Sequence, residues 1–184
     1  MKIFIDTETT GLDPIKNQIL TIGIVIVDSN LNISYQEEIK IKQQDWAIIN
    51  QKAMEINKID LLLHNKSAIG ELDACTSIIE ILKKYDLINS QLYGHNVSFD
   101  ITFLKKMFER NIVNYPFDYH FNDTMVLAIS LKDAGLITID SFSLSKMCAG
   151  YGINFNFHNA LDDALASVEL YKKFMGILKH ATNK

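Results

Sequence analysis

The sequence predicts one α/β domain, a mixed sheet with helices on its faces. Three observations carry that expectation. Three strand-like stretches fill the first 42 residues and are joined by short links. From about residue 50 the apolar residues recur at helical spacing, interrupted by a short strand. The 184 residues are 48% apolar and include only 8 Gly and 2 Pro, enough for one core and too little for long flexible linkers. Strands first and helices interleaved later is the pattern of helices packed on a sheet.

Each element follows from its residues. KIFID at 2–6 reads as a buried strand, and ILTIGIVIVDS at 19–29 as a second, rich in Ile and Val. DSNLN at 28–32 has turn chemistry, and ISYQEEIKIK at 33–42 alternates like a strand with one wet face. The short links make these three an antiparallel meander. Residues 50–57 and 71–86 suit helices, with Ile78, Ile79, Leu82 and Tyr85 at helical spacing. QLYGH at 91–95 is a short strand. In 99–111, Phe99, Phe103, Leu104, Met107 and Phe108 form one helical stripe, with Lys105, Lys106 and Arg110 mostly off it. Residues 124–133 and 141–149 predict two more helices. The last, from about Ala160 to Leu178, turns Ala160, Ala164, Val168, Tyr171 and Leu178 inward.

Composition narrows the function classes. A formal net charge of −4 argues against a general electrostatic binder of nucleic acid, although bound cations supply local positive charge in some nucleic-acid enzymes. Cys75 and Cys148 are isolated and read as buried thiols of a reducing cytoplasm. Asp6 and Glu8 fall where a signal peptide needs apolar residues, and ILTIGIVIV is too short to cross a bilayer as a helix. A cytoplasmic chain without membrane association is expected, comprising one domain over residues 1–184.

Three stretches carry candidate chemistry. Asp6 and Glu8 lie at i and i+2 of a strand and so share one side. Two close carboxylates repel, and a divalent cation with hard oxygen ligands relieves that repulsion. The ordinary alternative is a pair of acids fraying into solvent. Gly11, just beyond, lets backbone approach a ligand closely. Asp100 falls in the first turn of its helix with Ser98 as N-cap, which also explains the acid through the helix dipole. Asn159 caps the last helix with Asp162 answering it, while Asp163 leans toward the small inward face of Ala160 and Ala164. His158 lies in the loop just ahead. His64, His120 and His180 read as structural or exposed.

Together these stretches resemble the motifs of the DEDDh 3′–5′ exonucleases, the DnaQ-like proofreading family with a ribonuclease H-like fold. The matching segments are Asp6-Thr7-Glu8-Thr9-Thr10-Gly11-Leu12, then His95 to Asp100, then His158 with Asp163. NDTMVLA at 122–128 and SFSLSKMCAGYGI at 141–153 extend the likeness, which runs from about residue 3 to 178. The resemblance implies a five-stranded sheet, three antiparallel strands followed by two short ones parallel to the first. It implies hydrolysis of terminal phosphodiesters from the 3′ end, releasing nucleoside 5′-monophosphates. Asp6, Glu8, Asp100 and Asp163 would hold two Mg²⁺ or Mn²⁺ ions, and His158 would be the general base, swinging in from its loop.

Substrate contacts are implied in the same way. Thr9, Thr10 and Gly11 would meet the terminal nucleotide; Leu12, Ile56 and Phe99 would line its base pocket; His95 and Asn96 would face the next phosphate or sugar. For Leu12, Ile56 and Phe99 the residues alone equally suit ordinary core. Thr9 stands where oligoribonucleases typically carry Met, so single-stranded DNA 3′ ends are the favoured substrate, with RNA the alternative and a DNA polymerase the implied partner. A catalytically silent nucleic-acid-end binder is the rival from another class. The Lys105, Lys106 and Arg110 face is a candidate guide for the strand, or a solvated helix face.

Overall fold

The opening strand does not stop at the acids. In the structure, a computed structural model describing residues 1–156 and 158–182, β1 runs Lys2–Thr9 and carries Asp6 and Glu8 within it. Next come β2 (Ile19–Val27) and β3 (Ile33–Lys40). The helical half follows with α1 (Gln51–Asn57), α2 (Leu61–Ser67), α3 (Glu71–Lys84), β4 (Leu92–Gly94) and α4 (Ser98–Arg110). The chain ends through β5 (Phe121–Asp123), α5 (Thr124–Asp133), α6 (Leu144–Gly150) and α7 (Ala160–Thr182). The sheet order is β3-β2-β1-β4-β5, with β1–β2 and β2–β3 antiparallel and β1–β4 and β4–β5 parallel. This is the mixed five-stranded sheet expected of a ribonuclease H-like fold.

Strand alternation sorts the two faces. Ile3, Ile5, Ile22, Ile24 and Ile26 point toward α3 and α4 and pack with Ile78, Leu82, Phe103, Leu104 and Met107. Phe4, Val25 and Val27 point the other way, against Ala164 and Val168 of α7. With helices on both faces, every residue of β2 is buried, which explains its unbroken apolar run. Phe4, Tyr93 and Tyr171 form an aromatic triangle with centroids 5.1–5.6 Å apart, seating α7 on the sheet. A second cluster, including Leu131, Met147, Leu170 and Phe174, joins α5, α6 and the later turns of α7.

Two details depart from the sequence reading. Helix α2 was not anticipated, because LLLHNKS presents no inward apolar stripe: Leu62 and Leu63 are 82% and 61% exposed. The helix forms because Asp60 caps it, accepting from the Leu62 and Leu63 amides. Ser98 is the first helical residue of α4 and not its cap; Val97 holds that position and makes no side-chain cap bond. His64 is buried, its Nε2 2.9 Å from the Ile41 carbonyl oxygen. Cys75 and Cys148 are buried free thiols, as expected, each pushed up to about 12 chiefly by burial. Among the described residues, no helix is long and apolar enough to cross a membrane.

Candidate active site

The site is built where β4 ends. Ile3 and Phe4 pair with Leu92 and Tyr93, so β4 runs out at Gly94 while β1 continues to Thr9. The first turn of α4 enters beside the overhang. There the Thr7 hydroxyl donates to Asp100 Oδ1 at 2.7 Å, and Asp100 is 3% exposed. Asp6 and Glu8 project from the α7 face, in the alternation that also points Phe4 that way.

The opposite wall is the start of α7. In register, Asp6 faces Gly23 of β2, and a Cβ on Gly23 would lie 2.1 Å from the Ala160 carbonyl oxygen. The missing side chain therefore lets the helix begin directly on the sheet beside Asp6. Asn159 Oδ1 accepts from the Asp162 amide at 3.0 Å, the cap the sequence suggested. Asp163 Oδ2 accepts from the His158 amide at 3.2 Å, whereas its Oδ1 is buried without a hydrogen-bond partner among the described residues. One ligand atom each from Glu8, His158 and Asp163 lie within 4.8 Å of one another. His158 is exposed and left-handed, φ 69°.

The carboxylates oppose one another. Burial, then Asp100, Asp163 and Glu8 in that order, hold Asp6 well above the ordinary carboxylate range. Glu8 is pushed up to about 7 by burial first, then by Asp163, Asp100 and Glu38. Burial raises Asp100 to about 7 against the lowering pull of the Thr7 hydroxyl, and Asp163 to about 6 against the His158 amide. A buried acceptor with no donor, set among four carboxylates that disfavour each other's ionised forms, fits a divalent cation.

The residues proposed as substrate contacts separate into two groups. Leu12 and Ile56 are 81% and 45% exposed, too wet for ordinary core. Asn96 is also exposed, in a left-handed turn, with its amide donating to Asp123 Oδ1. Phe99 is half-buried against Phe103, centroids 4.8 Å apart. The Thr9 hydroxyl donates to the Gly11 carbonyl oxygen, and Thr10, fully buried, donates to the Ile48 carbonyl oxygen.

Two further candidate residues are engaged within the fold. His95 does not face outward with free nitrogens: Nδ1 lies 2.9 Å from Thr124 Oγ1 and Nε2 2.8 Å from the Phe142 carbonyl oxygen, so the ring braces β4 against α5 and the loop after it. Gly11 is glycine to admit Asn17, since a Cβ there would meet that side chain at 2.5 Å. Two of the three cations on α4, Arg110 and Lys106, are paired within the chain. Arg110 bonds Glu71 at 2.8 Å and the Pro14 carbonyl oxygen at 3.2 Å and stacks on Trp46, and Lys106 pairs with Glu109.

Sequence reasoning missed the supporting residues. Besides Gly23, these are Asn57, whose Nδ2 donates to the Thr9 carbonyl oxygen, and Asp123, which accepts from the Asn96 and Met125 amides through Oδ1. A glycine inside an otherwise apolar strand was the signal for Gly23, and the NDTMVLA segment that for Asp123. Beyond Glu8 and His158 the site opens into a cavity of about 340 Å³, lined also by Thr21, Lys40, Asn57 and His64.

Carboxylates gathered at a strand end of such a sheet define a metal-dependent phosphoryl-transfer class. The particular family is the exonucleases: the family model described as Exonuclease matches residues 3–171, and the chain belongs to that family. A PolC-type DNA polymerase III from Thermotoga petrophila is 31% identical over 180 residues, covering 96% of this chain. The chain spans only 12% of that relative's length. A ribonuclease T from Wigglesworthia glossinidia brevipalpis is 31% identical over 182 residues, 92% of this chain and 81% of the relative. Escherichia coli exonuclease I in complex with a dT13 oligonucleotide superposes with a TM-score of 0.84 at 21% identity, over 98% of this chain and 42% of that one, and shares the fold.

Proposed function

We propose that the chain is a 3′–5′ exonuclease of single-stranded nucleic acid, a single catalytic domain that releases nucleoside 5′-monophosphates. The observation that carries this is the convergence of Asp6, Glu8, Asp100 and Asp163 with a buried oxygen on Asp163 that is unpartnered among the described residues. Asp6, Glu8 and Asp163 would hold one divalent ion, and Asp6 with Asp100 a second; Mg²⁺ or Mn²⁺ suits all-oxygen donors. When bound, the pair would neutralise charge on the attacking and leaving oxygens of an in-line displacement.

The chain's own groups supply the rest. A ring nitrogen of His158, exposed and already close to Glu8 and Asp163, takes the proton of the attacking water. The Asp163 carboxylate anchors the base's backbone through the His158 amide. Leu12 and Ile56 offer apolar walls to the terminal base, and an unpaired base accepts such a wall whatever its identity. Phe99, half-buried against Phe103, would line the same pocket. Thr9, Thr10 and Gly11 shape the turn under the terminal nucleotide through their internal bonds, and the exposed Asn96 would present its side-chain amide to the nucleic-acid backbone.

DNA is the favoured polymer, in keeping with the likeness to PolC-type polymerases, and a cytoplasmic DNA polymerase would be the partner. RNA is the second reading, favoured by the ribonuclease T relatives that this chain matches over most of their length. The test is end-labelled single-stranded DNA and RNA with Mg²⁺ or Mn²⁺, with and without EDTA. Stepwise shortening from the 3′ end, abolished by EDTA, is expected. Binding without cleavage would replace the enzyme with a silent end-binder.

A further inference from the structure

We propose that Glu38, on the edge strand β3, is a positioning residue that holds the His158 loop over the carboxylates through Asn159. The inference rests on the exonuclease reading and adds a residue to that site.

The register places Glu38 for this task. Asp6 pairs with Gly23 and Gly23 with Glu38, so the three form one row across the sheet. With no side chain on Gly23, the Glu38 carboxylate meets the start of α7 without obstruction. Its Oε1 accepts from Asn159 Nδ2 at 2.8 Å, and its Oε2 lies 3.5 Å from Lys40 Nζ. Asn159 is then used at both ends, with Oδ1 capping α7 and Nδ2 tied to the sheet edge.

The adjoining residue explains why such a tie is needed. His158 sits at φ 69°, a conformation disfavoured for a residue with a Cβ and held only where its surroundings fix it. Its own amide has one anchor, Asp163 Oδ2. The Asn159–Glu38 bond is the second anchor, one residue on. Glu38 is also out of place as a mere surface acid: its side chain is 17% exposed on a strand whose neighbouring Gln36 and Glu37 face solvent. It adds negative charge next to Glu8, an arrangement that its tethering role accounts for.

The experiment is steady-state cleavage by Glu38→Ala, Glu38→Gln and Asn159→Asp, with each variant's Tm and its amide exchange at residues 158 and 159. Glu38→Ala should lower kcat about 10-fold, with KM held within about 2-fold, because a base displaced by a fraction of an ångström loses alignment. Glu38→Gln keeps the acceptor and should recover most of the loss. Asn159→Asp keeps the helix cap, loses the donor, and should match Glu38→Ala. Amide exchange should quicken in the two impaired variants while Tm holds. In a His158→Ala background, Glu38→Ala should add less than about 2-fold, since it acts through that base.

An unchanged kcat in Glu38→Ala overturns the inference. Equal losses in Glu38→Ala and Glu38→Gln do so too, since the effect would then be one of charge, and so does a full further loss without His158. A wild-type protein inactive on both DNA and RNA overturns the exonuclease reading itself, and the positioning role falls with it.

Discussion

Replacing Gly23 by Ala tests the geometry of the site through one methyl group that takes no part in proton transfer. The added Cβ would lie 2.1 Å from the Ala160 carbonyl oxygen, 2.3 Å from its carbon and 2.5 Å from the Leu161 nitrogen. Ordinary contact begins near 3.4 Å, so the backbone of α7 must retreat by about 1.3 Å. Backbone on both sides leaves no flexible side chain to swing away. The retreating turn carries Asp163, and His158 lies just ahead of it, while Asp6 stays on β1. A displacement of about 1 Å at reacting groups costs about 10²-fold in rate.

Overpacking of this kind destabilises by about 1–3 kcal/mol, against which the lowered entropy of the unfolded chain returns less than about 1 kcal/mol. For a chain of this size the net cost, up to about 3 kcal/mol, is a drop in Tm of up to about 12 °C. The assay is kcat on an end-labelled oligonucleotide beside thermal unfolding, with Gly176→Ala as the control on the same helix. Nothing lies within 4 Å of a Cβ at Gly176, so that variant should keep its activity and gain up to about 1 kcal/mol from helix propensity. A Gly23→Ala protein with wild-type kcat and Tm would refute the claim that α7 is seated on the sheet through this contact.

Three further outcomes are expected. Removing the base by His158→Ala should lower kcat by about 10²–10⁴-fold while calorimetric Mn²⁺ binding survives; turnover near wild type would reassign the base. Glu8, Asp100 and Asp163 are raised from ordinary values of 4.5, 3.8 and 3.8 to about 7, 7 and 6, so the folded protein binds the extra protons. Their contribution is favourable near pH 4 and is lost as pH rises through 6–7, so metal-free Tm should fall from pH 5 to pH 8 and recover on adding Mn²⁺; a flat profile would contradict the clustering. Leu12→Ala should raise KM about 5–10-fold with Tm unchanged, because an 81%-exposed side chain contributes little to folding but can be covered by a base; a lowered Tm would return Leu12 to the core.

The strands and long helices were legible because their burial follows period and composition. β2 is apolar throughout since both its faces are covered, and the α4 stripe from Phe103 to Phe108 meets the sheet as its spacing demands. The acids were legible as well, since Asp6 and Glu8 share a side of one strand and Asp163 leans toward Ala160 and Ala164. What escaped depends on contacts between distant segments. Nothing local says that His95 has both nitrogens taken by Thr124 and Phe142, or that Gly11 makes room for Asn17. Helix α2 escaped for the opposite reason: its start is purely local, at Asp60, but it buries no stripe for a periodicity argument to find.

The like charges persist because the elements that bear them are fixed by contacts the repulsion does not reach. Phe4, two residues before Asp6, is locked between Tyr93 and Tyr171, which also pins α7 well beyond Asp163. Phe103, Leu104 and Met107 hold α4 while Asp100 sits at its open end, tied to Thr7. Moving any one acid outward would therefore break apolar packing a turn or more away, where no charge is relieved. The repulsion has three outlets: a proton taken up by the raised carboxyls, side-chain rotation, or a cation. At neutral pH the first is only partly available. The second is blocked for Asp100, buried and bonded to Thr7. A cluster held in this way favours the third, and the Asp163 oxygen, unpartnered among the described residues, is where that preference is most plainly recorded in the fold.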